Sequence, residues 1–460
     1  MIKLIQKILA AEIVLDIVDG KLKLYSDNDE IDSEILNEIR ANKEELTSYL
    51  IQNNIVEASS APDEAISVVP LQPNYPISDA QRRLWVLSQF EGGSVAYNMP
   101  ASIYLNRDIE IKSFKSAIDA TIERHEILRT IFREDESGEI RQWIVQREDL
   151  GFAIDYQDFR KEANKKEKAE AYIAADAYRA FDLAKGPLLR AALLQVEEEE
   201  YVFYYNMHHI ISDGWSMEVL AKDVFKYYET YQAGKATQIE KLRIQYKDYS
   251  AWQLGQLNQE SFKDQKDYWL NKLSGELPLL DLPASKQRPK VKTYNGQGLA
   301  TYFDKATTAK LKRYTQEKGG SLFMGLLASW NVLMYRYTSQ KDIIIGTVVA
   351  GREHADLEDQ IGFYVNALAL RYEVNPEESF ASLYQAVKED TLKSYNHQMY
   401  PFDRLVEDLN LQRDTSRSAV FDIILALQNS GERIEGVELS KEANQIVDQG
   451  YRTSKFDIEV

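Results

Sequence analysis

The 460-residue sequence predicts an α/β protein preceded by a small α+β module. Three observations predict it. A β-branched and aromatic run, Tyr201 to Tyr205, leads through a short loop into a stretch with helical spacing, the order of a strand followed by a helix. A second stretch, Ser113 to Ile131, puts Phe114, Ile118, Ile122 and His125 along one helical face. Near the amino terminus, Ile13, Leu15 and Ile17 alternate with their neighbours ahead of Asp19-Gly20, a two-residue hairpin signal.

In chain order, Ile2 to Ala11 reads as a short amphipathic helix, followed by a hairpin whose second strand is Lys21 to Tyr25 and by helical patterning from Ile31 to Leu50. The polar, small-residue stretch Glu57 to Glu64 is a linker, so a first domain covers residues 1–55 and a linker 56–73. Downstream, His125 is more simply a core histidine than a ligand, because it shares the apolar face of its helix. Charged Glu197 to Glu200 precede the strand at Tyr201, and His208 and His209 fall at that strand's end. Ser212 or Asp213 can cap the next helix, whose apolar positions are Trp215, Val219 or Leu220, Val224 and Tyr227.

Composition narrows the function. With 44% hydrophobic and 11% aromatic residues the chain can fill two or three domains. A net charge of −18 argues against nucleic acid as a partner, since phosphate binding needs a basic surface. No cysteine is present, which removes disulfides and a cysteine nucleophile and fits a reducing compartment. Glu12 and Asp16 interrupt the apolar run at the amino terminus, and no segment approaches the roughly 20 apolar residues of a membrane helix. A cytoplasmic protein without membrane partners is the expectation.

The segment Asn206 to Met217 carries the chemistry. Two of five histidines stand side by side, and Asp213-Gly214 follows four residues after the second; a chance match has a probability on the order of 10⁻⁴. Imidazole titrates near neutrality and suits proton transfer, although a lone histidine is more often packed. Strand neighbours point to opposite faces, and His125, His354 and His397 are scattered, so no metal site is expected.

The first 55 residues, by their pattern, the Asp19-Gly20 turn and their placement at Met1, resemble the tubulysin-synthetase-type docking domains that open many multi-enzyme synthetase subunits. The resemblance implies that the carboxy-terminal peptide of an upstream subunit adds as a strand along the hairpin, with Lys21 and Lys23 as candidate charge readers. Lysines on a solvated face would look the same.

From Pro76 onward eight segments appear in order: Ser78 to Trp85, Tyr97 to Pro100, Arg124 to Thr130, the histidine motif, Tyr246 to Gln253, Ile361 to Asn366 with Arg371, His397 to Phe402, and Arg413 to Arg417. Together they resemble the core motifs of condensation domains of non-ribosomal peptide synthetases. The resemblance implies two chloramphenicol-acetyltransferase-like lobes in a V, here 74–245 and 246–460, with a tunnel into which donor and acceptor carrier proteins present phosphopantetheine arms. It implies no cofactor bound directly. The opening motif and Tyr97 to Pro100 look like the subtype joining an L-donor to an L-acceptor.

The reaction implied is attack of an acceptor α-amine on a donor thioester. Such an amine titrates near pH 7.7 to 8.0 in reference peptides, so a strong base is not demanded; His209 either removes a proton from the tetrahedral intermediate or orients the amine. His208 is the packing neighbour. The Gly214 N–H is a candidate oxyanion donor, unless glycine is there only for its backbone conformation. The resemblance makes Asp213 a brace paired with Arg129, supported by Arg124, and places Ser216, Asn366 and Trp252 along the tunnel, although tryptophan is more often packing. An epimerisation domain and a non-catalytic recruiting domain remain alternatives, as do acyltransferases using free acyl-CoA. In the family, further strand and helix follow the segment matching Thr453 to Ile458, so the chain is expected to be a fragment with an incomplete second lobe and uncertain activity alone.

Overall fold

A computed structural model describes residues 65–428 and 454–460, apart from 91–92, 236–240, 258, 285–286 and 413; upstream it describes the backbone of 13–18 and 21–26 and a few positions between 35 and 43. The chain divides into two compact units, residues 1–65 and 66–460.

In the first unit, β1 (Ile13–Val18) and β2 (Lys21–Ser26) pair antiparallel, from Ile13 opposite Ser26 to Val18 opposite Lys21. That register leaves two residues for the turn, as Asp19-Gly20 predicts, and β2 runs one residue beyond the expected end. The turn itself, the helix expected over 2–11, most of that over 31–50, the linker up to residue 64 and the side chains of Lys21 and Lys23 lie outside the described residues. From residue 66 the expected linker is part of the second unit, with Ile66 buried in its core and the Val69 N–H donating to Asp248 at 2.8 Å.

The second unit contains β3 (Tyr75–Pro76), α1 (Asp79–Ser88), β4 (Asn98–Asn106), α2 (Ile111–Arg124), β5 (Thr130–Glu134), β6 (Ile140–Ile144), β7 (Asp155–Asp158), α3 (Lys165–Ala177), β8 (Leu189–Gln195), β9 (Glu200–His208) and α4 (Gly214–Gln232) in its earlier part. One sheet has the order β4-β9-β8-β7, with β9 antiparallel to both neighbours and β7 parallel to β8. β9 is central, and eight of its nine residues are buried, which is why its sequence is a nearly unbroken aromatic and apolar run. One face receives α2 and α4, where Phe114 meets Phe203 edge-on at 5.0 Å; the other is covered by α3 against Ala192, Leu194, Val202 and Tyr204.

α2 ends at Arg124, short of the expected Ile131. His125 turns out of the helix with φ −107° and ψ 101°, and its Nε2 lies 2.7 Å from the Asp223 carboxylate on α4. Residues 126–129 form a 3₁₀ turn, and the β-branched and aromatic run Thr130-Ile131-Phe132 pairs with β6 instead of extending the helix.

A second core forms downstream. It is built by α5 (Tyr246–Gln256), α6 (Ser261–Lys272), α7 (Lys305–Glu317), α8 (Leu322–Thr338), β10 (Asp342–Val349), β11 (Asn366–Glu373), α9 (Phe380–Tyr395), α10 (Phe402–Asp408), β12 (Ile423–Ile424) and β13 (Ile458–Glu459), with α5 reaching mainly toward the first core. Its sheet order is β11-β10-β12-β13, antiparallel between β10 and β11 and parallel elsewhere. The stretch between β10 and β11 crosses back: Leu357, Ile361, Phe363 and Tyr364 are buried in the first core. No helix among the described residues is long and apolar enough to cross a membrane.

Candidate active site

β9 delivers His208 as its last residue, and His209 opens a 3₁₀ turn that ends at Ile211. His208 is fully buried. Its Nδ1 accepts from the Ile210 N–H at 3.1 Å, so a neutral ring carries its proton on Nε2, and Phe181 packs edge-on at 6.0 Å. Burial pushes His208 down to about 3, and the charges of Lys455 and Arg190 act in the same direction. It is a neutral packing residue at working pH.

His209 is half-buried, and three partners aim it. Its backbone N–H donates to the Tyr97 carbonyl at 2.8 Å, its Nδ1 lies 2.8 Å from the Ser212 carbonyl, and the Phe363 ring sits edge-on at 4.9 Å. A carbonyl only accepts, so Nδ1 carries the proton and the lone pair is on Nε2. Burial holds the imidazole well below the ordinary histidine range; Lys455 adds to this, and the Ser212 carbonyl opposes it. The product is an oriented neutral imidazole with an acceptor nitrogen.

Asp213 caps α4, its Oδ1 accepting from the Ser216 N–H at 2.8 Å. It is wholly buried, and its countercharge is Arg352, whose Nη2 lies 3.0 Å from Oδ1 and 3.2 Å from Oδ2; the Tyr364 N–H donates to Oδ2 at 3.1 Å. The expected pairing with Arg129 is therefore corrected. Arg129 sits in the turn before β5, donates to the Val145 carbonyl at 3.0 Å, and has Glu126 and Glu123 as its carboxylates at 3.9 and 4.0 Å. Arg124 braces α4 elsewhere, through Asp223 at 3.1 Å. Arg352 reaches Asp213 because Gly351, at φ +65°, turns the chain where a Cβ would run into the Tyr364 carbonyl. Its guanidinium is 4.2 Å from the Tyr364 ring centroid and also donates to the Leu357 and Gln360 carbonyls.

Ser216, expected along a tunnel, belongs to the same brace: fully buried, its Oγ lies 2.6 Å from Asp213 and accepts from Arg352 at 2.9 Å and from the Gly362 N–H at 3.0 Å. Asn366 donates to the Gln398 and Tyr400 carbonyls at 2.7 and 2.8 Å and accepts from the Phe402 N–H, stitching β11 to α10. Trp252 is half-buried against the first core, 6.0 Å from Tyr249. Trp215, expected on the apolar face of α4, is 47% exposed instead, with its indole N–H donating to the Glu358 carbonyl at 2.8 Å.

Gly214 is the first residue of α4 and is exposed. Its φ is not positive, and a Cβ there would meet nothing within 4 Å, so neither conformation nor packing demands glycine. Its lack of a side chain leaves its own N–H, one residue after the Asp213 cap, without a Cβ beside it.

Gln81 and Arg352 were not singled out by sequence. Gln81, in the capping box of α1, extends its amide to the Ile210 carbonyl at 3.0 Å and so supports the histidine turn. The visible signal was the Ser78-x-x-Gln81 box; for Arg352 it was a glycine-arginine pair ending an apolar strand.

A family model described as "Condensation domain" matches residues 71–460. Tyrocidine synthase 3 of Brevibacillus parabrevis is 38% identical over 377 residues, covering 81% of this chain and 6% of that protein. Gramicidin S synthase 2 of Brevibacillus brevis is 38% identical over 395 residues, 86% of this chain and 8% of that protein. The chain thus spans a small fraction of the relatives it matches. Among solved structures, the X-domain from teicoplanin biosynthesis aligns with a TM-score of 0.71 at 26% identity, covering 78% of this chain and 79% of that one. The starter condensation domain of rhizomide synthetase aligns at 0.66 and 23% identity, over 77% and 78% of the two chains, a likeness of fold alone.

Proposed function

Since the chain belongs to the condensation-domain family of non-ribosomal peptide synthetases, we propose that it joins a donor aminoacyl or peptidyl thioester to the α-amine of an acceptor aminoacyl thioester, both on phosphopantetheine arms of carrier proteins. The observation that carries this reading is the aim of His209: Nδ1–H fixed on the Ser212 carbonyl and Nε2 left to accept, in the turn that leads into α4.

In the mechanism, the amine lone pair attacks the thioester carbon, and the carbonyl oxygen takes up the displaced electron pair. The Gly214 N–H, in the first turn of α4 and without a Cβ beside it, is the candidate donor to that oxyanion. The nitrogen is now an ammonium and far more acidic than before, so even a weakly basic imidazole takes its proton on Nε2. Collapse restores the carbonyl, expels the phosphopantetheine thiolate and leaves the amide; the thiolate regains a proton. His208 and Asp213 touch no reacting atom in this scheme and hold the turn.

The resemblance of the opening motif and of Tyr97 to Pro100 supports the L-donor, L-acceptor subtype as part of this proposal. Docking of an upstream subunit through residues 1–55 rests on the hairpin, whose strands have one partner each among the described residues. The test of the central reading is His209→Ala with two loaded carrier proteins: amide formation falls by roughly 10²-fold or more while the circular dichroism spectrum is unchanged. Undiminished turnover removes His209 from the chemistry. A wild-type chain that binds carriers without forming amide favours the recruiting alternative.

A further inference from the structure

Lys455 enters the site from the far end of the described chain. Its neighbours tie it to the second core: the Ser454 N–H donates to the Tyr294 carbonyl at 2.8 Å, Phe456 stacks on Phe421 at 5.4 Å, and Lys292 Nζ donates to the Lys455 carbonyl at 2.5 Å. The side chain leads elsewhere. Its Nζ lies 5.1 Å from the ring centroid of Tyr97, the residue whose carbonyl holds the His209 N–H and whose ring is edge-on to His209 at 6.4 Å.

That ammonium has no contact ion pair among the described residues. The nearby Glu459 carboxylate accepts instead from the backbone N–H groups of Lys455 and Phe456. Arg83 of α1 faces the same space with like charge and is paired with Asp403 of α10 at 3.1 Å. The phenols of Tyr97, under the ammonium, and of Tyr294, near Arg83, are both favoured in the neutral form by burial, Tyr97 pushed up to about 12. After burial, Lys455 is the largest influence disfavouring a proton on either His208 or His209, ahead of Arg190 at His208. A partly buried cation without a contact carboxylate is costly, and the Tyr97 ring face offsets only part of that cost.

We propose that Lys455 is a positioning residue that selects charge state: its ammonium repels the acceptor's α-ammonium, so that the amine enters as its free base, and keeps His209 the neutral proton acceptor. The proposal rests on the condensation reading above. It gives a physical reason for a weakly basic histidine to serve in the site, because the same charge removes the need for a base before attack.

The experiment uses the whole chain with Lys455→Gln and Lys455→Arg. Without substrate, nuclear magnetic resonance titration of the histidine rings should show the His209 midpoint raised in Lys455→Gln and restored toward wild type in Lys455→Arg. With loaded carriers, Lys455→Gln should move the acidic limb of the rate profile to higher pH, losing on the order of tenfold at pH 6.5 per unit of movement, while the alkaline plateau is kept. A His209 midpoint that does not move, or a loss of rate equal at every pH, overturns the proposal and makes Lys455 structural. If wild type forms no amide at any pH, the condensation reading fails separately, and the histidine titration still decides whether Lys455 governs His209.

Discussion

Asp213 lies next to the reacting histidine turn yet is bound on every side, by Arg352, Ser216 and the Tyr364 N–H. A wholly buried carboxylate of this kind is stable only while its countercharge is in place. We therefore expect Arg352→Ala to cost about 3–5 kcal/mol in urea unfolding, and Arg129→Ala only about 1 kcal/mol, the value of its single carbonyl hydrogen bond. In a double-mutant cycle, Asp213→Asn should couple strongly with Arg352→Ala and not with Arg129→Ala; the opposite pattern would return the brace to Arg129. The family resemblance implied that Asp213 is a brace, but the partner was missed because Asp213 and Arg352 are 139 residues apart, joined by no periodicity. Lys455 was missed for the same reason.

At the scale of elements, sequence was informative where local chemistry decides. β9 followed from its aromatic run, α4 from a capping Ser212 or Asp213, of which Asp213 is the cap, and the pairing of β1 with β2 from the alternation around Asp19-Gly20. The end of α2 was lost because apolar spacing continues past Arg124, while the deciding contact, His125 with Asp223, comes from another helix. For the hairpin, an added strand would gain affinity from main-chain hydrogen bonds and selectivity from flanking charge. Isothermal titration with the carboxy-terminal peptide of an upstream subunit should therefore show Lys21→Glu with Lys23→Glu weakening an acidic peptide by about 3- to 30-fold, less at high salt, given ~0.2–1 kcal/mol per exposed pair and a new repulsion. Equal affinity at both salt levels would reduce the two lysines to a solvated face.

Across the whole second unit, the expected boundary at residue 245 divides the sequence without dividing the first core. Ile361, Phe363 and Tyr364 come from beyond it and are buried with β9 and α4 residues, Phe363 lies against His209, and Tyr246 donates to the Phe363 carbonyl at 2.7 Å. Removing these side chains from the first core takes away three large apolar groups, each worth about 1.5–3 kcal/mol of burial, together with the only ion-pair partner of Asp213 among the described residues. That sum is comparable with the entire 5–15 kcal/mol by which domains are stable. A fragment of residues 66–245 should accordingly show no cooperative thermal transition in near-ultraviolet circular dichroism, whereas residues 66–460 should melt in one. If the fragment melts cooperatively near the temperature of the longer chain, the crossing segment 350–365 is an accessory to the site and not part of the structure that holds His209.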